Sequence, residues 1–444
     1  MEDPSVFEVP SAEIALRRTR AAGATAVRLL LRWSSVAPDG ERAPVGFDAA
    51  NHADPGYRWE SFDKVVLAAS RGLAPIVSID TAPAWAGANG PGQPGLADPA
   101  ELGLFARAAA TRYSGKTGLP RVRYWQIWSE PNLYLPLEPQ LRPIWYRRML
   151  NSAAAAIRSV HRDNVVIAGG LAPFTPKGAD KRIAPLRFMR EMLCLSRTLR
   201  RTCRDRSSFD IWAHHPYTSG GPTHHAYARD DVSLGDLPEM RRALISALRN
   251  GSIASNTRPQ FWVTEFSWDT KPPDTRGVPV NLHARWVAEA LYRMWQSGVS
   301  LVTWFLLTDR PPQTSYFQSG LYYSGASVAD ARPKPALQAF RFPFVGFPSR
   351  GGLFVWGRTP AGRPGNVIVE QSIRSGWRRL GVLRTNRYGI FERRFASKPA
   401  GSVRARSLRT REYSRPFSLK HHPDRFFNPF GLPTLLEPRR KGRP

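Results

Sequence analysis

Cysteine is almost missing from this chain: its 444 residues hold two, Cys194 and Cys203. So few exclude a scaffold built on disulfides, and their spacing matches no zinc motif. The pair is expected to close one small disulfide loop in an Arg-rich connection, which fits an oxidising compartment; two free thiols are the alternative. Long apolar runs are missing too. Nothing approaches the roughly 18 uninterrupted apolar residues of a membrane span. Met1-Glu-Asp-Pro lacks the basic start and apolar stretch of a signal peptide. Acidic residues are scarce, with 35 Asp and Glu against 64 Lys and Arg, for a formal net charge of +29. Such an excess suits an acidic polymer as partner. Here, however, it is arginine scattered through a chain rich in Ala, Gly and Pro, as GC-biased coding produces. No helix carries a continuous basic face and no nucleic-acid motif is present, so nucleic acid is not expected; an anionic cell-wall polymer stays open. There is no internal repeat and no long low-complexity segment.

What the chain has is aromatic and apolar content, 42% hydrophobic with 14 tryptophans, in a length that suits a large barrel plus an appendage. From residue 20 to about 340, strand-like runs alternate with amphipathic helices, the pattern of a parallel β/α fold. The strand runs are 26–33, 74–80, 122–128, 165–169, 209–213, 261–264 and 301–306. Helix starts are legible between them. Asp98-Pro99-Ala100-Glu101 sets an acidic N-cap before a first-turn proline, and Asp236-Leu-Pro-Glu239 repeats that logic. Asn281 opens a helix that Gly298 stops. An eight-stranded barrel needs one strand more. Only Val6-Phe7-Glu8-Val9 is available ahead of residue 26, so the first strand, and any signal peptide, is expected to lie upstream of this sequence; a short or irregular first strand is the alternative.

After residue 345 short alternating runs (352–356, 366–370, 377–383, 389–395 and 402–408) are separated by Gly, Pro and Asn turns. They read as a small antiparallel β-sandwich, tethered by the Pro-rich segment 332–348. The expected domains are a barrel over 1–345, a sandwich over 346–422 and an irregular basic, Pro-rich tail over 423–444.

Two glutamates stand out. Glu130 lies in Tyr-Trp-Gln-Ile-Trp-Ser-Glu-Pro-Asn and Glu265 in Phe-Trp-Val-Thr-Glu-Phe-Ser-Trp, each just beyond a strand-like run. Either one alone reads as a salt-bridging residue on a barrel rim. Two at strand ends amid tryptophans suit glycoside chemistry, where aromatic faces stack on sugar rings and paired carboxyls supply a proton and a nucleophile. His214, His215, His224 and His225 raise a metal site. Adjacent strand residues point to opposite faces, so His214 and His215 do not readily share an ion; neither metal nor cofactor is expected.

At these motifs the sequence resembles the clan A retaining glycoside hydrolases, (β/α)8 barrels in the style of families 5 and 39. The resemblance spans roughly residues 20–345 and rests on 26–33, Ala82-Pro-Ala-Trp85, Trp128-Ser-Glu-Pro-Asn132, His214-His-Pro-Tyr217, Thr264-Glu265 and Thr303-Trp-Phe305. It implies Glu130 as acid/base after strand four and Glu265 as nucleophile after strand seven. It further implies Arg28, His215 with Tyr217, and Trp304 as pocket residues, Trp304 as the floor under the sugar. Trp33, Trp85 and Trp268 are candidates for further stacking, and Ser129 and Asn132 for substrate contact. Ser129 departs from the clan, which has Asn before the acid/base; that Asn contacts the sugar 2-hydroxyl, where a serine is shorter. The expectation is a monomeric, secreted or cell-surface retaining β-glycosidase acting on a poly- or oligosaccharide. A catalytically weak barrel that only binds carbohydrate is the competing reading, with a basic surface protein for anionic polymers as a third.

Overall fold

The computed structural model describes residues 1–7, 10–87, 96–133, 141–174, 182–311 and 317–420. Seven parallel strands lie side by side in chain order: β1 Ala26–Arg32, β2 Ala74–Asp80, β3 Tyr124–Ile127, β4 Val165–Leu171, β5 Ile211–His214, β6 Gln260–Val263 and β7 Leu301–Val302. Between them run helices α1 Ala12–Ala21, α2 Glu60–Ser70, α3 Pro99–Arg112, α4 Arg142–Val160, α5 Pro185–Met192, α6 Leu237–Arg249 and α7 Val280–Gln296. The strands are largely buried on both faces, as in β2, whose five central residues are all buried. A parallel sheet covered by helices requires this.

The gap between β1 and β7 is filled by Met1–Asp3. The Arg28 amide donates to the Met1 carbonyl at 2.9 Å, and the Glu2 amide donates to the Trp304 carbonyl at 2.9 Å. Glu2 pairs with Phe305 in parallel. Asp3 fastens the same seam, accepting the Leu307 and Thr308 amides on Oδ2 at 3.0 and 3.1 Å and the Arg310 guanidinium on Oδ1 at 3.0 Å. The slot expected to take a strand from upstream of this sequence is thus occupied by Met1–Asp3, which matches the alternative of a short, irregular first strand, and not by Val6–Val9. Residues 4–7 turn away from the sheet, and Glu8 and Val9 lie outside the described residues. A polar Glu-Asp pair has no strand signature; the open backbone edges on either side recruit it.

Capping chemistry holds at one helix and changes at another. The Asp98 carboxylate accepts the amides of Ala100 and Glu101 at 2.8 and 3.2 Å, closing the N-terminus of α3. Asp236 was expected to do the same for α6. Its side chain instead turns back to the amides of Ala226 and Ser233, at 2.7 and 3.1 Å, and to the His225 ring at 2.8 Å. The carboxylate therefore organises the loop after β5 rather than the helix that follows it.

Two antiparallel sheets follow the barrel. One is ordered 344–349, 352–358, 390–395 and the other 376–384, 366–373, 402–407, 417–418. The expected runs are all strands. The Pro-rich tether is not a tether: it holds α8, Pro335–Arg341, with Pro335 in its first turn, and then the strand Phe344–Ser349. That strand lies at a sheet edge, where Pro348 leaves no ladder bond unmade. Trp356 meets Tyr292 and Trp295 of α7 with ring centroids 5.5 and 5.6 Å apart, joining sandwich to barrel. The expected tail over 423–444 lies outside the described residues.

Candidate active site

The candidate site is assembled at the C-terminal ends of the parallel strands, where (β/α)8 barrels carry their chemistry. Counting Met1–Asp3 as the first stave, Glu130 follows the fourth and Glu265 the seventh. The turn that carries Glu130 is backbone-strained: Trp128 and Glu130 adopt φ of +68° and +48°, conformations costing about 1–2 kcal/mol each for residues with a β-carbon. Its hydrogen bonds over-determine it. The Trp128 amide donates to the Ile79 carbonyl at 2.8 Å and the Glu130 amide to the Gly170 carbonyl at 2.9 Å. Gln126 Nε2 donates to the Trp128 carbonyl at 3.1 Å.

One imidazole joins the two carboxylates. His215 Nδ1 lies 2.9 Å from Glu130 Oε1 and 3.1 Å from Glu265 Oε2, and its Nε2 lies 3.1 Å from Thr264 Oγ1. The ring is fully buried while the two glutamate side chains keep 23% and 16% exposure. The carboxyls thus face an opening and the histidine sits behind them. Burial opposes a charge on His215, but the Glu265 charge and the hydrogen bonds to both glutamates outweigh it and raise its pKa to about 9. Burial would likewise raise Glu265, yet His215, Arg28 and a hydrogen bond from Tyr217 bring its pKa below the ordinary glutamate value. Burial and the surrounding carboxylates push the Tyr217 hydroxyl well above its usual range, so it stays a proton donor.

Arg28 lies beneath this pair. Its Nη1 is 3.7 Å from Glu265 Oε1 and 2.5 Å from Glu2 Oε2, and its Nη2 donates to Ser78 Oγ and Ser129 Oγ at 3.2 and 3.0 Å. Ser129 is therefore in the site and tied to Arg28. Glu2 and Ser78 were not singled out from the sequence. Ser78 is a buried hydroxyl in an otherwise apolar run, a weak cue. Glu2 offered none, because only barrel closure brings it here.

Glu130, Glu265, Arg28, Ser129, His215 and Tyr217 are thus brought together, whereas the other candidates part company. Asn132 is fully buried: its Nδ2 donates to the carbonyls of Ala172 and Ile183 at 3.0 and 3.1 Å, and its Oδ1 accepts the Ala172 amide at 2.9 Å. It pins the Glu130 turn to the segment after β4 and has no polar atom left for substrate. Trp33 is buried in a stack with Phe105, ring centroids 4.8 Å apart. Trp268 is 2% exposed, its indole N–H donating to the Gly220 carbonyl. Trp304 is 0% exposed, donates to the Ser319 carbonyl, and packs among Phe266, His283 and Phe340. None of the three offers a ring face to a sugar, which corrects their assignment. Trp85 remains partly exposed. Phe305, beside Trp304, is the partly exposed aromatic at the end of the last strand, with Phe317 edge-on at 5.6 Å. Phe305 was missed in the sequence; that neighbouring residues of an extended run face opposite sides is the signal that could have found it.

Cys194 and Cys203 are bonded, with Cα atoms 5.2 Å apart, away from the carboxylates. His214 points away from His215, its Nε2 on the Val232 carbonyl at 2.8 Å, and burial lowers its pKa to about 3. His224 and His225 bond within their loop, to Ser219 at 3.3 Å and Asp236 at 2.8 Å. Among the described residues, ligand-type atoms of Glu130, His215 and Glu265 come within 4.8 Å of one another.

No protein-family model and no curated protein matches the sequence. Solved structures do resemble it. The GH39 enzyme from Xanthomonas axonopodis pv. citri is similar at a TM-score of 0.51 and 14% identity, over 89% of this chain and 90% of that one. A monomeric beta-xylosidase from Caulobacter crescentus CB15 gives 0.50 and 13%, over 89% and 93%. Endoglucanase Cel5A from Thermotoga maritima gives 0.44 and 16%, over 77% and 96%. At these identities the likeness to the first two is one of fold: a clan A type (β/α)8 barrel followed by a β-sandwich.

Proposed function

We propose that the protein is a retaining β-glycosidase acting on a poly- or oligosaccharide. The observation that carries this reading is the pair of carboxylates held on one buried imidazole, with atoms of all three residues inside 4.8 Å. Double displacement uses carboxyls about 5–5.5 Å apart, whereas inversion needs about 6.5–9.5 Å to admit a water. Glu265, kept ionised by His215, Arg28 and Tyr217, attacks the anomeric carbon as Glu130 delivers its proton to the glycosidic oxygen and the aglycone departs. In the second half Glu130 takes a proton from water, the oxygen bonds to the anomeric carbon, and the Glu265 carboxylate is released. Trp85 and Phe305 supply stacking surface. Ser129, whose oxygen already accepts from Arg28, has its hydroxyl hydrogen left for the sugar 2-position. Secretion is part of the same proposal and is supported by the disulfide.

Hydrolysis of a panel of aryl β-glycosides and polysaccharides tests this reading, beside Glu130→Ala and Glu265→Ala with added azide. Turnover by the parent is expected, with a β-glycosyl azide from Glu130→Ala and an α-glycosyl azide from Glu265→Ala. A parent without turnover whose cleft still binds sugars overturns it in favour of a carbohydrate-binding barrel.

A further inference from the structure

Beneath the two glutamates lies a third buried carboxylate that double displacement does not use. Glu2 and Arg28 are both enclosed, with Arg28 Nη1 2.5 Å from Glu2 and 3.7 Å from Glu265. One guanidinium nitrogen therefore serves two acids, while the other is taken by Ser78 and Ser129. The backbone of Glu2 is fixed in the barrel seam, on the Trp304 carbonyl and beside Phe305, while the preceding Met1 carbonyl takes the Arg28 amide.

We infer that Glu2 is a positioning residue for the nucleophile: it holds Arg28 beneath Glu265, and its ionisation sets how much guanidinium charge Glu265 receives. This rests on the glycosidase reading for its consequence but not for its geometry. The groups facing Glu2 are Arg28 from β1, Glu265 beyond β6, His215 and Tyr217 beyond β5, and the buried amino group of Met1. Asp80 at the end of β2 faces Arg28, and Asp269 faces Tyr217 from the loop after Glu265. Burial, Arg28 and Glu265 together place Glu2 near 7, the first and last raising it. Below that pH Glu2 is neutral and the guanidinium charge serves Glu265 alone; above it the two carboxylates share that charge across the same Arg28 nitrogen. Coupling of this kind is reciprocal, so Glu265 must act on Glu2 as Glu2 acts on Glu265.

The test has two arms. Protein labelled with ¹³C at glutamate side-chain carboxyls is titrated by NMR, with the Glu2 signal assigned by its loss in Glu2→Asp or Glu2→Gln. The Glu2 midpoint is expected to fall in Glu265→Gln relative to the parent; an unchanged midpoint overturns the inference whether or not the protein hydrolyses anything. In the second arm, kcat/KM for the best aryl β-glycoside is followed across pH. The parent is expected to show an inflection near 7 that Glu2→Gln lacks, with KM little changed, and an inflection persisting in that variant overturns the proposal. A shifted midpoint in a protein without turnover leaves the Glu2 coupling standing and removes the glycosidase reading alone.

Discussion

Gly170 stands directly behind His215: a β-carbon built on it would lie 3.3 Å from the imidazole Nε2 and 2.6 Å from Gln126 Nε2. Its φ of +62° is left-handed, so glycine is required there both by conformation and by space. Gly170→Ala is expected to lose about 1–2 kcal/mol from backbone strain alone. It should also displace the imidazole between the carboxylates, lowering kcat more than it raises KM. Denaturant unfolding and steady-state kinetics check the two parts separately; full stability with wild-type kcat would refute the assignment.

The protonated His215 bridge predicts a pH dependence of stability. Its pKa of about 9 in the folded protein exceeds the ordinary 6.5. The stabilisation it brings is therefore complete below about 6.5 and lost as pH rises through 9. Glu2, raised from 4.5 to about 7, acts in the same direction over that lower window. Thermal midpoints should fall from pH 6.5 to 9 in the parent and fall less in His215→Gln. Parallel curves would exclude His215 as the cause.

Asn132 distinguishes a structural asparagine from a sugar ligand. Asn132→Ala strips three buried hydrogen bonds and is expected to cost about 2–4 kcal/mol, since the abandoned groups lose water as well as partner. Because the Glu130 turn depends on those bonds, kcat should drop with it. A higher KM at unchanged stability would instead return Asn132 to the substrate.

The tryptophans separate along the same line. Trp33→Ala, Trp268→Ala and Trp304→Ala should each destabilise by about 3–5 kcal/mol, the usual cost of deleting a large buried aromatic. Phe305→Ala should leave stability nearly intact and weaken sugar binding about tenfold, as expected for a lost stacking face. Calorimetry with a bound oligosaccharide, set beside unfolding curves, checks both groups.

Much of this architecture was legible in the chain. Strand runs, helix caps and the alternating pattern after residue 345 each depend on neighbours in sequence, and local propensity reports such things faithfully. Asp98 caps its helix because a carboxylate and two open amides meet within four residues. The paired glutamates were legible too, since strand ends in a parallel barrel converge on one rim. What the sequence could not decide is which faces stay open once the barrel closes. Trp304 and Phe305 are adjacent and both aromatic, yet the first is buried and the second partly exposed; side-chain parity against the neighbouring strands settles that. Glu2 is the extreme case. In sequence it is an acidic residue between Met1 and Asp3, and it becomes Arg28's partner only because β1 and β7 leave a slot between them. Local chemistry is written in the order of residues, whereas burial and charge sharing belong to groups that only the folded chain brings together.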